Sequence, residues 1–411
     1  MISRRAFGLT AAAALVSGCV GGGRAGGAIG ASGEAAAPRP VANAGWDNWV
    51  AAYRTRAGGR GIQASTLTMA FRDAGYLPDV IERDRNQAEF RRSLEDYLGI
   101  AASDERIRLG RQEYGARRAL LAQIEDRYGV EGHVVTAFWG LESFYGTRRG
   151  NIPVISALST LAYDGRRGAF FESQLDAALR ILQAGDVTPG RMVGSWAGAM
   201  GHTQFIPTSY LEYAVDFTGD GRRDIWSEDP ADALASTANY IRRAGWQRGL
   251  PWGMEVSLPQ GFDAGLLGRG RGRSAAEWGG LGVRAAGGGG LQAGSIIRPG
   301  AAGTPAFLLT QNFNVILRYN NAESYAIGVG HLSDRIRGEG GLRASFGPDA
   351  TGLDKAGRQE LQRRLTARGF DTGGADGVLG PKSKAAIEAF QASRGLAVSG
   401  EASPELLALL R

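Results

Sequence analysis

Apolar residues recur at three- and four-residue intervals along much of the chain, a spacing that indicates amphipathic helices. Between Thr160 and about Tyr240 the pattern stays mainly helical, apart from turn-forming residues at 216–224. The last part of the chain has the same helical spacing and predicts a compact unit of two or three helices. We predict helices, in chain order, within 47–57, 66–74, 110–128, 131–146, 170–183, 322–337 and 353–411.

The region 250–315 has a different pattern, because short apolar or β-branched pieces alternate there with glycine-rich turns. This alternation predicts a small β subdomain. Neither GRGRGR (268–273) nor GGGG (287–290) leads into Lys-Ser/Thr or a strand-to-helix step, so we do not interpret them as phosphate loops. The candidate strands lie within 253–258, 282–285 and 306–310.

The chain starts with MISRRAFGLTAAAALVSGC, a basic beginning followed by an apolar run and small residues. The run from Ala6 to Val16 is too short for a permanent membrane span and is typical of a secretory signal peptide. The only cysteine, Cys19, follows it and resembles the lipidated residue of bacterial lipoproteins; the alternative is a cysteine placed there by chance. The arginine pair in SRRAF also resembles a twin-arginine export signal.

Val20, rather than an aspartate, follows Cys19, as in lipoproteins sent to the outer membrane of Gram-negative bacteria. We therefore predict a periplasmic protein that a lipid anchors to the outer membrane. The next residues, GGGRAGGAIGASGEAAAPRP, have too few large apolar side chains to pack and predict a flexible tether. Order is expected to begin near Trp46.

Composition restricts the chemistry further. The 411 residues are 43% hydrophobic and 21% charged, as in ordinary globular proteins, with a net charge of +6. The basic balance favours anionic partners such as nucleic acid, acidic lipid or cell-wall polymer, and export argues against nucleic acid. With three histidines and one cysteine, a zinc or iron site with several such ligands is not expected.

The segment FWGLESFYG (138–146) places one carboxyl group in an apolar and aromatic run. On a helix over 131–146, the face of Glu142 also carries Val135, Phe138, Trp139 and Tyr145. Such surroundings disfavour the charged form and raise a carboxyl pKa, as a general acid near neutral pH requires. The alternative is a buried glutamate paired with an arginine.

Three other stretches contain groups suited to a polar ligand. SWAGAMGHTQFIPTSY (195–210) combines small residues with hydrogen-bonding side chains, and QNFNVILRYNNAESY (311–325) is rich in amides and tyrosines. In DGRRGAFF (164–171), two guanidinium groups stand beside aromatic residues, as suits recognition of a carboxylate. A solvated helix face would explain Arg166 and Arg167 equally well.

Together these segments resemble the membrane-bound lytic murein transglycosylase B family over most of 46–337. Further matching motifs are DRNQAEF (84–90), AVDFTGDGRRDIW, ANYIRRAGW and YNNAESYA. The resemblance implies a mainly α (α+β) protein with a lysozyme-like helical catalytic domain and a small β subdomain. It also implies Glu142 as the catalytic residue. The residues that match the family's substrate groove are Arg166, Arg167, Ser195, Met200, Gln204, Phe205, Tyr240, Tyr319, Asn320 and Tyr325; His202 receives no role.

The family's reaction is cleavage of the β-1,4 bond between N-acetylmuramic acid and N-acetylglucosamine in peptidoglycan, by a carbon–oxygen lyase. We hypothesise that Glu142 protonates the glycosidic oxygen and then, as a base, assists attack by the C6 hydroxyl of the same muramic acid. The product is a 1,6-anhydro sugar, and no cofactor is required. The alternatives are a hydrolytic muramidase with two carboxyl groups and a non-catalytic peptidoglycan-binding lipoprotein.

DFTGDGRRD (216–224) spaces its acidic residues like the first part of an EF-hand loop. The acid usual at the twelfth position is missing, since Ser227 stands there, and the resemblance implies Asp232 as its replacement. The alternative is a metal-free Asp/Gly turn. The candidate ligands of a structural calcium ion are Asp216, Thr218, Asp220, Arg222 and Asp232, with Asp224 at the ninth position.

The segment ADGVLGPKSKAAIEAFQ resembles the peptidoglycan-binding domain type 1, a three-helix module, through Asp376, Gly377, Gly380 and Phe390-Gln391. No catalytic set is evident there, so a targeting role is expected. The predicted core of this module is mostly Leu361, Leu365, Ile387, Phe390, Leu396, Leu406 and Leu409.

The predicted partners are peptidoglycan glycan strands, an outer-membrane lipid anchor, and proteins of cell-wall synthesis or division. The predicted domains are a signal peptide (1–18), a lipidated tether (19–44), a catalytic domain (45–338), a linker (339–352) and a peptidoglycan-binding domain (353–411).

Overall fold

The structure is a computed structural model that describes residues 38–85, 93–300 and 303–411. Within these ranges the protein is mainly helical with two small antiparallel sheets, which confirms the predicted fold class. The described residues form two compact units: 38–85, 104–250 and 314–339 belong to the first, and 93–103, 251–300, 303–313 and 340–411 to the second. The domains predicted from the sequence are contiguous segments, whereas each of these units combines several segments, and the predicted boundaries stay predictions.

Helices account for most of the regular structure in the described residues. In chain order, the α-helices are α1 (Ala44–Gly59), α2 (Ala64–Phe71), α3 (Pro78–Arg85), α4 (Leu94–Ala101), α5 (Asp104–Ala116), α6 (Arg118–Tyr128), α7 (Gly132–Ser143), α8 (Val154–Asp164), α9 (Gly168–Ala184), α10 (Pro207–Tyr213), α11 (Ala231–Arg243), α12 (Ala275–Gly280), α13 (Gln311–Tyr319), α14 (Glu323–Arg337), α15 (Lys355–Ala367), α16 (Pro381–Ser393) and α17 (Pro404–Leu409). Short 3₁₀ turns occupy Pro189–Arg191 and Ala264–Leu266.

The first unit is organised around α7, whose residues are nearly all buried. Ten of its twelve residues are buried, and only His133 and Glu142 are half-buried. The helix packs against α5, α6, α11 and α14, while α8 and α9 pack on each other. A helix that is apolar on all sides needs neighbours on all sides. The position of α7 therefore follows from its composition.

The helix predicted over 131–146 ends earlier than expected. Phe144 has left-handed backbone angles and terminates α7 after Ser143, and Tyr145 also has a positive φ. The prediction that Tyr145 shares a helical face with Glu142 is therefore wrong. The Tyr145 ring instead turns back to an edge-on contact with Trp139.

In the second unit, four strands form an antiparallel sheet in the order β4-β3-β6-β5. Three of the strands lie within the predicted segments, and Ser295–Ile297 was not predicted. The first unit has a two-stranded sheet of β1 and β2. The strands are β1 (Ile152–Pro153), β2 (Val193–Gly194), β3 (Gly253–Ser257), β4 (Arg284–Ala285), β5 (Ser295–Ile297) and β6 (Ala306–Leu309).

The last three helices, α15 to α17, enclose a small apolar core of their own, as the sequence predicts. Two of the predicted core residues are exceptions: Leu396 is 38% exposed and Leu409 is 59% exposed. Leu396 follows the end of α16 and Leu409 lies on the outer side of a helix of only six residues. Apolar spacing alone does not distinguish these positions from buried ones. The predicted core residues that are buried are Leu361, Leu365, Ile387, Phe390 and Leu406.

A buried arginine connects two distant segments of the second unit. The Arg358 side chain is 1% exposed, and its Nη2 lies 2.8 Å from a Glu95 oxygen and 3.0 Å from an Asp96 oxygen on α4. Its Nη1 lies 2.9 Å from Asp349, and its Nε donates to the Gly377 carbonyl. A buried guanidinium requires such partners, because an unpaired buried charge is costly. Arg358 therefore fixes α15 against α4.

The signal peptide, Cys19 and most of the predicted tether lie outside the described residues, as does most of DRNQAEF. In the part of the chain that the structure describes, every helix is too short or too polar to cross a membrane.

Candidate functional site

Glu142 lies in the last turn of α7 with its side chain half-buried. Its Oε1 accepts a hydrogen bond of 2.5 Å from the Oη of Tyr325, in the first turn of α14. Because α7 and α14 pack together, two residues 183 positions apart in the sequence meet. One predicted site residue thus contacts another directly.

Burial raises the pKa of Glu142 to about 7, while the hydrogen bond from Tyr325 acts in the opposite direction. Removal from water disfavours the charged carboxylate, whereas a donated hydrogen bond favours it. Burial is the larger effect. Within the described residues, no arginine contributes to this shift, which argues against a glutamate buried against a cation.

Aromatic rings form a continuous wall beside Glu142. The Phe138 ring lies 4.8 Å from the Tyr319 ring and 6.3 Å from the Tyr325 ring, measured between centroids. Tyr319 also contacts Tyr240 at 5.0 Å and Phe205 at 6.0 Å. The structure therefore brings together four of the predicted groove residues from α11, α13, α14 and the 195–205 loop.

Two buried polar atoms beside this wall have no hydrogen-bond partner among the described residues, the Oδ1 of Asn320 and the Oγ1 of Thr203. The Tyr319 hydroxyl donates to the Thr203 carbonyl. Buried acceptors are usually satisfied by protein or water. Asn320, a predicted groove residue, therefore has hydrogen-bonding capacity that the described protein groups do not use.

The backbone next to Glu142 is strained. Phe144 (φ 51°) and Tyr145 (φ 58°) follow its helix, and Gln204 (φ 55°) is the only other non-glycine residue with a positive φ among those described. Each such conformation costs on the order of 1–2 kcal/mol. The Tyr145 hydroxyl donates to the Arg106 carbonyl at 2.7 Å. A Cβ at Gly140 would lie 2.6 Å from the Tyr145 ring, so only glycine leaves room for it.

Hydrogen bonds within the 195–205 loop, and one to Arg149, fix the conformation of this loop. The Ser195 Oγ accepts from the Ala199 amide, and Met200 and Phe205 exchange two backbone hydrogen bonds. The Gln204 amide group donates to the carbonyls of Arg149 and Gly201. Met200 is fully buried in the apolar core, so its predicted contact with a ligand has no accessible side-chain surface.

Arg166 and Arg167 lie beside Asp84 of α3. The Arg166 Nε is 2.6 Å from one Asp84 oxygen and the Arg167 Nη2 is 2.9 Å from the other. Asp84 is 2% exposed, whereas the Arg166 side chain is 47% exposed. The two guanidinium groups hold the pKa of Asp84 below its ordinary value despite burial. One buried carboxylate therefore orients two cations, and the net local charge stays positive.

The acidic loop brings Asp216, Asp220 and Asp232 together, with one carboxylate oxygen of each within 4.8 Å of the others. Asp216 accepts from the amides of Gly219, Asp220 and Gly221, and the Thr218 hydroxyl donates to it. The Arg222 amide donates to Asp220. Clustered carboxylate oxygens suit a hard cation such as calcium. Three of the five predicted ligands therefore meet in a cluster that fits such an ion.

Asp224, the ninth residue of the loop, is not in this cluster. Its oxygens accept from the amides of Trp226 and Ser227 and pair with Arg191. Asp232 accepts from the amides of Phe217, Thr218 and Asp224.

Comparison with known proteins agrees with this arrangement. The profile of the transglycosylase SLT domain family matches residues 45–334. The chain belongs to that family. A peptidoglycan binding domain profile matches 354–410, and the resemblances drawn from the motifs are confirmed.

The relatives of this transglycosylase-family chain include the membrane-bound lytic murein transglycosylase B of Escherichia coli K12, 33% identical over 215 residues. That match spans 51% of this chain and 58% of the relative. A second relative is SltB3 from Pseudomonas aeruginosa, which was solved in complexes with NAG-NAM-pentapeptide and NAG-anhNAM-pentapeptide. It is 44% identical to this chain, with a TM-score of 0.71. The match covers 90% of this chain and 100% of SltB3. Slt35 of E. coli, solved with calcium, is 27% identical with a TM-score of 0.59 over 72% of this chain and 93% of Slt35.

The sequence did not reveal two of the contacts at this site. One is the pairing of Asp84 with Arg166 and Arg167, and the other is the contact of Trp139 with His202. Asp84 lies 82 residues before Arg166, and no local pattern connects them. A weak signal for His202 existed, because a lone histidine inside a glycine-rich loop between two aromatic motifs suggests a structural contact.

The ionisation of Glu142 predicts a change in stability with pH. Its folded pKa of about 7 lies above the ordinary value of 4.5, so its stabilising contribution is complete below pH 4.5 and disappears as the pH rises through about 7. We expect the free energy of unfolding of Glu142→Gln to rise relative to that of the wild type between pH 5 and pH 8, by on the order of 3 kcal/mol. Denaturant unfolding at both pH values measures this.

Glu228→Gln is the control in the same unit, since Arg149 lowers the pKa of Glu228 and the change should not stabilise the protein at pH 8. An equal stability difference between Glu142→Gln and wild type at pH 5 and pH 8 would contradict the raised pKa.

Proposed function

We propose that this chain is a lytic murein transglycosylase that cleaves the β-1,4 bond between N-acetylmuramic acid and N-acetylglucosamine and forms 1,6-anhydro-N-acetylmuramic acid. The observation that carries the proposal is the half-buried Glu142, with a pKa of about 7 beside an aromatic wall, in a chain of the transglycosylase SLT domain family. At that pKa the carboxyl group exchanges protons readily near neutral pH.

The reaction needs one carboxyl group used twice. Protonated Glu142 gives its proton to the glycosidic oxygen as the bond from that oxygen to C1 of muramic acid breaks. The C6 hydroxyl of the same sugar then bonds to C1, and its proton passes to the Glu142 carboxylate, which restores the acid. The hydrogen bond from Tyr325 stabilises the carboxylate between the two steps.

Glycosidases that hydrolyse their substrate use a second carboxyl group. Within the described residues, only burial and Tyr325 shift the pKa of Glu142, so no second carboxylate is close enough to perturb it. This supports the intramolecular route over hydrolysis. The complexes of SltB3 with NAG-NAM-pentapeptide and NAG-anhNAM-pentapeptide support a glycopeptide substrate.

The predicted groove residues have distinct proposed roles. Tyr240 and Tyr319 are half-buried and would offer ring faces to sugars, whereas the buried Phe205 would support these two rings from behind. Asn320 offers its unsatisfied carbonyl oxygen. Arg166 and Arg167, oriented by Asp84, would bind a carboxylate of the glycopeptide. Ser195, Met200 and Gln204 would shape the loop that approaches the substrate, through the hydrogen bonds and packing of that loop.

The C-terminal module (353–411) is proposed to hold the enzyme on its insoluble substrate. It matches the peptidoglycan binding domain family. A binding module in the same chain raises the effective concentration of the catalytic group at the polymer.

Digestion of purified peptidoglycan sacculi, followed by mass spectrometry, tests the function. We expect muropeptides that end in anhydro-muramic acid, one water lighter than hydrolysis products. Glu142→Gln should lower the rate by at least about 10²-fold, because the general acid is lost, and should still sediment with sacculi. Reducing-end muramic acid in the products would identify a muramidase instead, and a wild type that releases nothing would leave only a binding protein.

A structural calcium ion is proposed at Asp216, Asp220 and Asp232, with Thr218 and Arg222 in the same loop. When bound, the cation would neutralise the clustered carboxylates and stabilise the loop before α11. We expect calcium to raise the melting temperature and a chelator to reverse this; at a hundredfold excess over Kd the gain is about 2.7 kcal/mol. Asp220→Asn should reduce the shift. A melting temperature indifferent to calcium and chelator argues for the metal-free turn.

A periplasmic location with a lipid anchor on Cys19 is proposed from the first residues and from the name of the membrane-bound relative. Labelling cells with a traceable fatty acid should mark the wild type in the outer-membrane fraction. Cys19→Ala should lose the label and leave that fraction. Equal labelling of both forms would disprove acylation at Cys19.

A further inference from the structure

We propose that His202 is a positioning residue that fixes the last turn of α7, and with it the carboxyl group of Glu142, against the 195–205 loop. His202 was assigned no role from the sequence. It is 3% exposed and lies between three segments of the first unit. The inference rests on the proposed function of Glu142.

The side chain and backbone of His202 contact α7 on both sides of Glu142. The indole Nε1 of Trp139, three residues before Glu142, donates to the Nδ1 of His202 at 3.1 Å. The Oγ of Ser143, the residue after Glu142, donates to the His202 carbonyl at 2.5 Å. The catalytic turn is thus held at two points by one residue of the loop.

These contacts define the imidazole tautomer. An indole N–H can only donate, so the Nδ1 of His202 carries no proton. The proton is on Nε2, which lies 2.7 Å from the Ser227 carbonyl and donates to it. The same ring therefore connects Trp139 of α7 to Ser227, in the segment between the acidic loop and α11.

The surroundings keep the ring neutral. The Arg149 guanidinium lies 3.2 Å from Nε2 and donates to the Trp226 and Ser227 carbonyls. Burial lowers the pKa of His202, and the charge of Arg149 adds to this effect. A second proton on Nδ1 would face the Trp139 N–H donor, so the neutral form is the one that this geometry accepts.

Space for the ring is also provided. Gly146 has a φ of +82°, and a Cβ there would lie 2.5 Å from the His202 Nδ1. The strained turn after Glu142 therefore ends at a residue whose lack of a side chain admits the imidazole. On its other side, the Trp139 ring has Arg117 over its face at 5.1 Å and the Tyr145 ring at its edge. Trp139 is thus fixed on each side.

Variants that keep one contact each test this role. In His202→Asn the amide oxygen can take the place of Nδ1 and accept from Trp139, whereas in His202→Gln the amide nitrogen can take the place of Nε2 and reach Ser227. His202→Leu keeps neither contact. We expect His202→Leu and His202→Gln to lower kcat on the order of tenfold or more with KM little changed, and His202→Asn to recover most of kcat.

Tyr53→Phe is the control for general destabilisation, because it removes the buried contact of the Tyr53 hydroxyl with Asp176 on α9, outside the proposed catalytic machinery. At a comparable loss of melting temperature it should keep the wild-type kcat. If His202→Leu also keeps the wild-type kcat, or if His202→Asn is no better than His202→Gln, the positioning role is wrong.

A readout that does not need turnover separates this inference from the proposed function. The pH dependence of the stability gain of Glu142→Gln over its parent reports the folded pKa of Glu142, because the midpoint of that gain lies between the unfolded and folded pKa values and moves with the folded one. We expect that midpoint to move when the pair is compared in a His202→Leu background and to stay in place in a Tyr53→Phe background. An unmoved midpoint overturns the inference, whereas hydrolytic products from the wild type overturn only the proposed function.

Discussion

The structure depends on a balance at one carboxyl group. Burial beside an aromatic wall favours the neutral form of Glu142, and the hydrogen bond from Tyr325 favours the ionised form. Neither effect alone suits the proposed role of this group, in which it releases a proton and then recovers it. The packing of α7 on α14 supplies both at once, because it buries the side chain and places the tyrosine hydroxyl at the carboxylate oxygen.

The placement of Glu142 at the end of α7 has a conformational cost. Two aromatic residues directly after the helix adopt left-handed backbone angles. Residues other than glycine rarely adopt such angles. Packing and hydrogen bonds of Tyr145, together with the contacts of His202, offset this cost. The strained residues directly follow Glu142, and strained backbone of this kind is common at functional sites.

Buried charge is handled in the same way in both units. Asp84 is buried with two arginines in the first unit, and Arg358 is buried with three carboxylates in the second. Each minority charge is enclosed by several opposite charges, which compensates its loss of hydration. Each cluster therefore has a net charge that interacts with solvent or ligands. This net charge is positive for the Asp84 cluster and negative for the Arg358 cluster.

The sequence by itself determined most helices, three of the four strands in the larger sheet, the family and the candidate catalytic residue, because periodicity and motifs are local properties. It did not determine where α7 ends, since Phe144 and Tyr145 have no intrinsic preference for left-handed angles and adopt them only through contacts with Arg106 and Trp139. Nor did it pair Glu142 with Tyr325, Asp84 with the arginines, or Trp139 with His202. Those contacts join residues 63 to 183 positions apart, and only the packing of the helices decides which distant side chains meet.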